Sequence, residues 1–164
     1  MMIQKYAETF RKTRTAVAGG LAAVVLLSVC GCQDYKWRLG DYLKAEQEAA
    51  EKTHYLFVFY KWWLSDASNQ MHGNVLPDAA VGALFQDTVN VLLEKDSSPE
   101  YANYMARYGV TSPPAFVLVA PDGTYYVASG FLPKERFIEF VQSAKSGRSA
   151  GSRRPAPAPP AKSP

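Results

Sequence analysis

Few residues of this 164-residue chain are equipped for covalent chemistry. Its two cysteines, Cys30 and Cys32, lie one residue apart near the N-terminus, and none occurs from Gln33 to Pro164. Thiol–disulfide exchange needs a thiolate to attack sulfur, and a disulfide across a one-residue gap is strained. Hydroxyls stand at Ser65 and Ser68 in the string Ser65-Asp66-Ala67-Ser68. A serine nucleophile needs a base and an oxyanion hole, and His54 and His72 are the two histidines available. His54 precedes a predicted strand at the end away from the serines, so His72 alone would approach them. The simpler reading of Ser68, with Asp66 close by, is a helix cap. Met71-His72 offers two soft metal ligands, but adjacent helical positions diverge, and a core methionine beside a surface histidine explains the pair better. No metal and no cofactor is expected.

The two cysteines belong to a different pattern. Lys5, Arg11, Lys12 and Arg14 precede an apolar stretch from Ala16 to Val29. That stretch has the length of a signal-peptide core and falls short of the roughly 20 residues that span a bilayer. Its end, Val29-Cys30-Gly31-Cys32, resembles a bacterial lipobox, in which small residues precede a cysteine that is lipidated and becomes the mature N-terminus. Cys32 fits best, because Gly31 precedes it; Cys30 follows the larger Val29. The alternative is an uncleaved signal anchor that keeps both thiols. The expected divisions are a signal over 1–31, a short tether over 32–40, a domain over 41–144 and a tail over 145–164. Such a protein would be exported and held on a membrane of the cell envelope by its N-terminal lipid.

The formal charge of +3 comes from the two ends. From Gln33 to Ala144 there are nine Lys/Arg against fourteen Asp/Glu, and no run of bases interleaves with aromatics. Nucleic acid is therefore not an expected partner. The tail carries five bases and the run Pro155-Ala156-Pro157-Ala158-Pro159-Pro160 without apolar periodicity, so it is expected to lack a packed structure.

Helical spacing of Tyr42, Leu43, Ala45, Ala49 and Ala50 predicts a helix from Asp41. Tyr55 to Tyr60 is a continuous apolar run of the kind that forms a strand covered on both faces. Helix returns over Gln70 to Leu84, weakened by Pro77 and Gly82. Val89 to Leu93 predicts a second strand. Ser98-Pro99-Glu100 predicts a capped helix start, and that helix carries Tyr101, Tyr104, Met105 and Tyr108 before Gly109. Strands Phe116 to Val119 and Tyr125 to Ala128 flank a turn at Pro121-Asp122-Gly123. A last helix after Pro133 turns Phe137, Ile138, Phe140 and Val141 inward. The order predicts an α/β domain with a mixed sheet between helices.

This order, with the string Tyr108-Gly109-Val110-Thr111-Ser112-Pro113-Pro114-Ala115-Phe116 and then Asp122-Gly123 and Gly130, resembles the thioredoxin superfamily over about Asp41 to Ala144. The resemblance implies a three-layer α/β/α sandwich and a cis bond at Pro113-Pro114. It places the family's Cys-x-x-Cys on Ser65 and Ser68, and the tryptophan before it on Leu64, one and two places after Trp63 and Trp62. No register supplies a cysteine to the domain. The family's backbone beside the cis-proline pairs with an extended substrate peptide, a capacity that needs no thiol. The expectation is a redox-inactive module that holds an envelope protein or extended peptide near Trp62, Trp63, Ser65, Ser68 and Pro114. The alternatives are a thiol–disulfide oxidoreductase relative using cysteines outside the usual motif, and a purely structural lipoprotein.

Overall fold

The computed structural model describes residues 37–148 and the backbone of a two-residue strand at 154–155. The expected signal, Cys30, Cys32 and most of the basic tail lie outside the described residues.

The apolar stripe of the first helix becomes α1 (Tyr42–Lys52), with Tyr42, Ala45 and Ala49 buried. The continuous apolar runs become β2 (Tyr55–Lys61) and β3 (Thr88–Glu94), each with its five central residues buried. The remaining regular elements are α4 (Tyr101–Tyr108), β4 (Ala115–Val119), β5 (Thr124–Ser129) and α5 (Lys134–Lys145). Gly109 ends α4 at φ 66°, a left-handed conformation that costs glycine nothing in sterics. Strands β2 and β3 are parallel, while β4 runs antiparallel to both β2 and β5.

Side-chain alternation on the strands divides the core in two. Leu56, Val58 and Tyr60 of β2 face a cluster with α1 and the tyrosines of α4. Phe57 and Phe59 face the opposite cluster, which holds Met71, Val81, Phe116, Phe137 and Val141. This is the expected α/β/α sandwich on a mixed sheet. In α5, Phe137 and Val141 are fully buried, as predicted, whereas Ile138 and Phe140 are only partly covered.

Four local expectations are corrected. Trp37–Leu39 lies in the segment read as a tether, yet forms an edge strand, β1, parallel to β3 over Asn90 to Leu92. A three-residue strand is too short to show periodicity, and its pairing partner is distant in sequence. The helix expected over Gln70 to Leu84 is broken. It starts earlier as α2 (Asp66–Gln70) and passes into a π-helical turn (Met71–Val75); the chain then resumes as α3 (Ala79–Gly82) and a 3₁₀ turn (Ala83–Phe85). Pro77 has no N–H to continue the first ladder, and the Asp78 carboxylate restarts the helix by accepting from the Ala80 N–H at 2.9 Å. Ser98 does not cap α4: its hydroxyl accepts from the Glu94 N–H at 3.0 Å and closes the preceding turn. Finally, Arg154–Pro155, within the stretch expected to lack structure, forms strand β6 against Thr124 and Tyr125. An edge strand offers free ladder groups, and proline is tolerated there.

Candidate functional site

The chain leaves the sheet at Lys61, turns through Trp62-Trp63-Leu64 and enters α2. Backbone and side-chain bonds fix this turn. The Ser65 N–H donates to the Trp62 carbonyl at 3.0 Å, and the Asn69 side-chain amide donates to the Trp63 carbonyl at 2.8 Å. The Ser65 hydroxyl accepts from the Ser68 N–H at 3.2 Å, which makes Ser65 the N-cap of α2. The expected cap, Ser68, is instead the residue that Ser65 satisfies. Its own hydroxyl accepts from the Trp62 N–H at 3.3 Å, and Ser68 is fully buried. Ser68 is thus a support of the loop rather than a residue that a ligand touches.

The two tryptophans have separate fates. Trp62 is half-buried, with the Lys95 ammonium 4.1 Å from its ring centroid. Its indole N–H is buried with no hydrogen-bond partner among the described residues. Trp63 and Leu64 are each 56% exposed. An exposed tryptophan beside an exposed leucine, on a turn held by four hydrogen bonds, is a fixed apolar surface.

The segment before β4 lies beside the end of β2, where this turn begins. The Pro113-Pro114 bond is cis, as the resemblance implied, and Pro114 is buried. Ala115, which follows it, lies in register with Tyr60 at the end of β2. The Pro114 carbonyl accepts from the Gly130 N–H at 2.7 Å, and the Leu132 N–H donates to the Met71 sulfur at 3.4 Å. These two bonds pin the loop carrying Phe131 between Pro114 and the helical segment after Ser65. Phe131 is 44% exposed. Sequence reasoning missed Leu64 and Phe131 as site residues. Their signal was weak: large apolar side chains in loop segments, outside any periodic stripe.

The histidines do not complete a nucleophilic site. The His72 ring stacks on Phe59 at 6.4 Å, and burial, then the Lys61 ammonium, lower its pKa from the usual imidazole value. No hydrogen bond joins it to Ser65 or Ser68 among the described residues, and His54 sits before β2 at the opposite end of that strand. Met71 is fully buried in the core. Among the described residues, no group of three or more His, Cys, Asp or Glu side chains converges as a metal site.

A cluster of titratable side chains lies on the other face of the sheet. Tyr42 stacks on Tyr104 at 3.5 Å, and its hydroxyl bonds to that of Tyr108. Arg107 pairs with Glu46 at 2.8 Å and lies over these rings. Burial pushes the phenols up, Tyr104 to about 12, so they remain protonated and serve as core.

No family model matches the chain, and no curated protein does. Solved structures do. A thioredoxin from Thermus thermophilus superposes with a TM-score of 0.58 at 23% identity, over 70% of this chain and 91% of that one. The fold is that of thioredoxin. The reduced C-terminal domain of DsbD from Neisseria meningitidis gives 0.55 at 19%, over 65% and 98%. A DsbH oxidoreductase gives 0.55 at 17%, over 69% and 83%. The thioredoxin-like domain here carries Ser65 at the N-terminus of α2, where the resemblance puts the family's first cysteine. Among its described residues no helix is long and apolar enough to cross a membrane.

Proposed function

We propose that this thioredoxin-like domain is a redox-inactive binding module, lipid-anchored through Cys32 in the cell envelope, that holds an extended segment of an envelope protein. The observation that carries the reading is three exposed apolar side chains, Trp63 and Leu64 on the hydrogen-bonded turn before α2 and Phe131 on the loop bonded to Pro114, in a domain without a cysteine. Ser65 borders that surface. Trp62, Ser68 and Pro114 support it from beneath. Aromatic side chains with few rotors are effective anchors at such surfaces because little conformational entropy is lost when they are covered.

Pro113 modifies the mode of binding. A proline has no N–H, so the residue before Pro114 supplies only a carbonyl to an incoming strand. Affinity then falls to the side chains of Trp63, Leu64 and Phe131 more than to a ladder of backbone bonds.

The test is site-specific photo-crosslinking in intact cells, with a benzophenone amino acid placed at Trp63, Phe131 or Gln142. The same discrete adduct from positions 63 and 131, absent from 142 on the outer face of α5, is the expected result. No adduct from either position sinks the binding reading. Reduction of insulin by the purified full-length protein would instead support the rival, an oxidoreductase that retains Cys30 and Cys32.

A further inference from the structure

Leu39 is 74% exposed, more than any other large apolar side chain among the described residues, and Leu43 is 43% exposed. Both lie at one corner of the domain, where β1 ends and α1 begins. Leu39 is in register with Leu92 of β3, toward the end of the sheet from which the Trp62-Trp63-Leu64 turn also departs.

We infer that this corner rests in the headgroup layer of the membrane, with Leu39 and Leu43 as its apolar contacts. The inference rests on the reading of Cys32 as the lipidated N-terminus. Because Trp37 already belongs to the sheet, only residues 33–36 separate it from Cys32. Five Cα steps reach at most about 18 Å when fully extended. A domain of this length is about 30 Å or more across, from a radius of gyration near 13 Å. The tether is therefore shorter than the body it holds, and β1 stays close to the lipid surface.

Charge does not explain the contact. Lys44 pairs with Asp41 at 2.8 Å, and Glu48 pairs with both Arg38 and Lys52, so these ion pairs leave a single net positive charge to attract anionic lipid. What the corner presents to the bilayer is two leucines. The contact should be insensitive to salt, unlike one made by a polybasic patch. A tethered domain needs only a weak contact of this kind to hold one orientation, because the anchor has already removed most of the entropic cost of association.

The test uses the full-length lipoprotein with one added cysteine. Processing removes Cys30 and acylates Cys32, so a Gln47→Cys variant has a single free thiol, one helical turn beyond Leu43 on the same face of α1, and leaves both leucines in place. A Gln142→Cys variant on α5 is the control. Each is labelled with an environment-sensitive fluorophore and reconstituted into phosphatidylcholine vesicles containing a headgroup-attached quencher lipid. The expected result is several-fold stronger quenching at position 47 than at 142, unchanged by high salt and abolished by Leu39→Glu with Leu43→Glu. Equal quenching at both positions, with the protein still floating with the vesicles, overturns the docking and leaves the anchor standing. Loss of flotation overturns the anchor and the docking with it.

Discussion

Trp62 and Trp63 are adjacent in sequence and chemically identical, yet their substitutions should separate cleanly. Trp63 is mostly solvent-exposed, so Trp63→Ala should change stability by no more than about 0.5 kcal/mol in urea unfolding while removing the adduct formed from position 131. Trp62 packs into the domain with an indole N–H that finds no partner among the described residues. Trp62→Phe keeps most of the packing and deletes the orphan donor, so stability should hold or rise by about 1 kcal/mol. A clear loss would mean that the indole N–H is satisfied in solution. The serines separate in the same way. Ser65→Ala removes an N-cap and should cost about 1 kcal/mol. Ser68→Ala buries an unpaired Trp62 N–H, and should cost about 1–3 kcal/mol. Which serine caps and which supports was not legible from Ser65-Asp66-Ala67-Ser68, because either hydroxyl can begin a helix. The start of α2 decides it.

The position of α1 was legible because Tyr42, Ala45 and Ala49 repeat at helical spacing, and the glycine ending α4 was legible as a terminator. The end of α1 was not. Thr53 closes it at φ 55°, a left-handed conformation that is strained for a β-branched residue. Thr53→Gly should therefore stabilise the domain by about 0.5–1 kcal/mol in thermal or urea unfolding. A neutral or destabilising result would show that the threonine side chain makes a compensating contact. Along the chain, Pro77 and Gly82 look like penalties on one helix over Gln70 to Leu84. The structure uses Pro77 as a divider and Asp78 as a new cap, so the same residues form two short elements under Phe59 and Phe116. β1 is not legible for a related reason: three residues carry no period, and only β3 makes them a strand.

Among the described residues of the molecule, exposed apolar side chains are placed unevenly. Leu39, Leu43, Trp63, Leu64 and Phe131 all sit on connections or element ends, while both faces of the central strands are covered. The domain is also expected to respond to mild acid through His72. Its folded-state pKa lies below the ordinary value of 6.5, so the unfolded chain takes up the proton first as pH falls. That group's contribution is complete above about pH 6.5 and is lost progressively below it. Stability measured by urea unfolding should decline from pH 7 to pH 5, and His72→Gln should flatten the decline. An unchanged slope would place the response on other groups. What the sequence alone determined about this protein is the order of its main helices and strands, the absence of a thiol from Gln33 onward, and the thioredoxin resemblance carried by Tyr108 to Phe116. Each is a local pattern written in contiguous residues. The tertiary structure alone decided that Ser68 is buried, that Trp62 turns in while Trp63 turns out, and that Phe131 is left exposed on a loop bonded to Pro114 and Met71. Those outcomes depend on which distant strand or helix occupies the space beside each residue, and the spacing of side chains along one chain does not encode that.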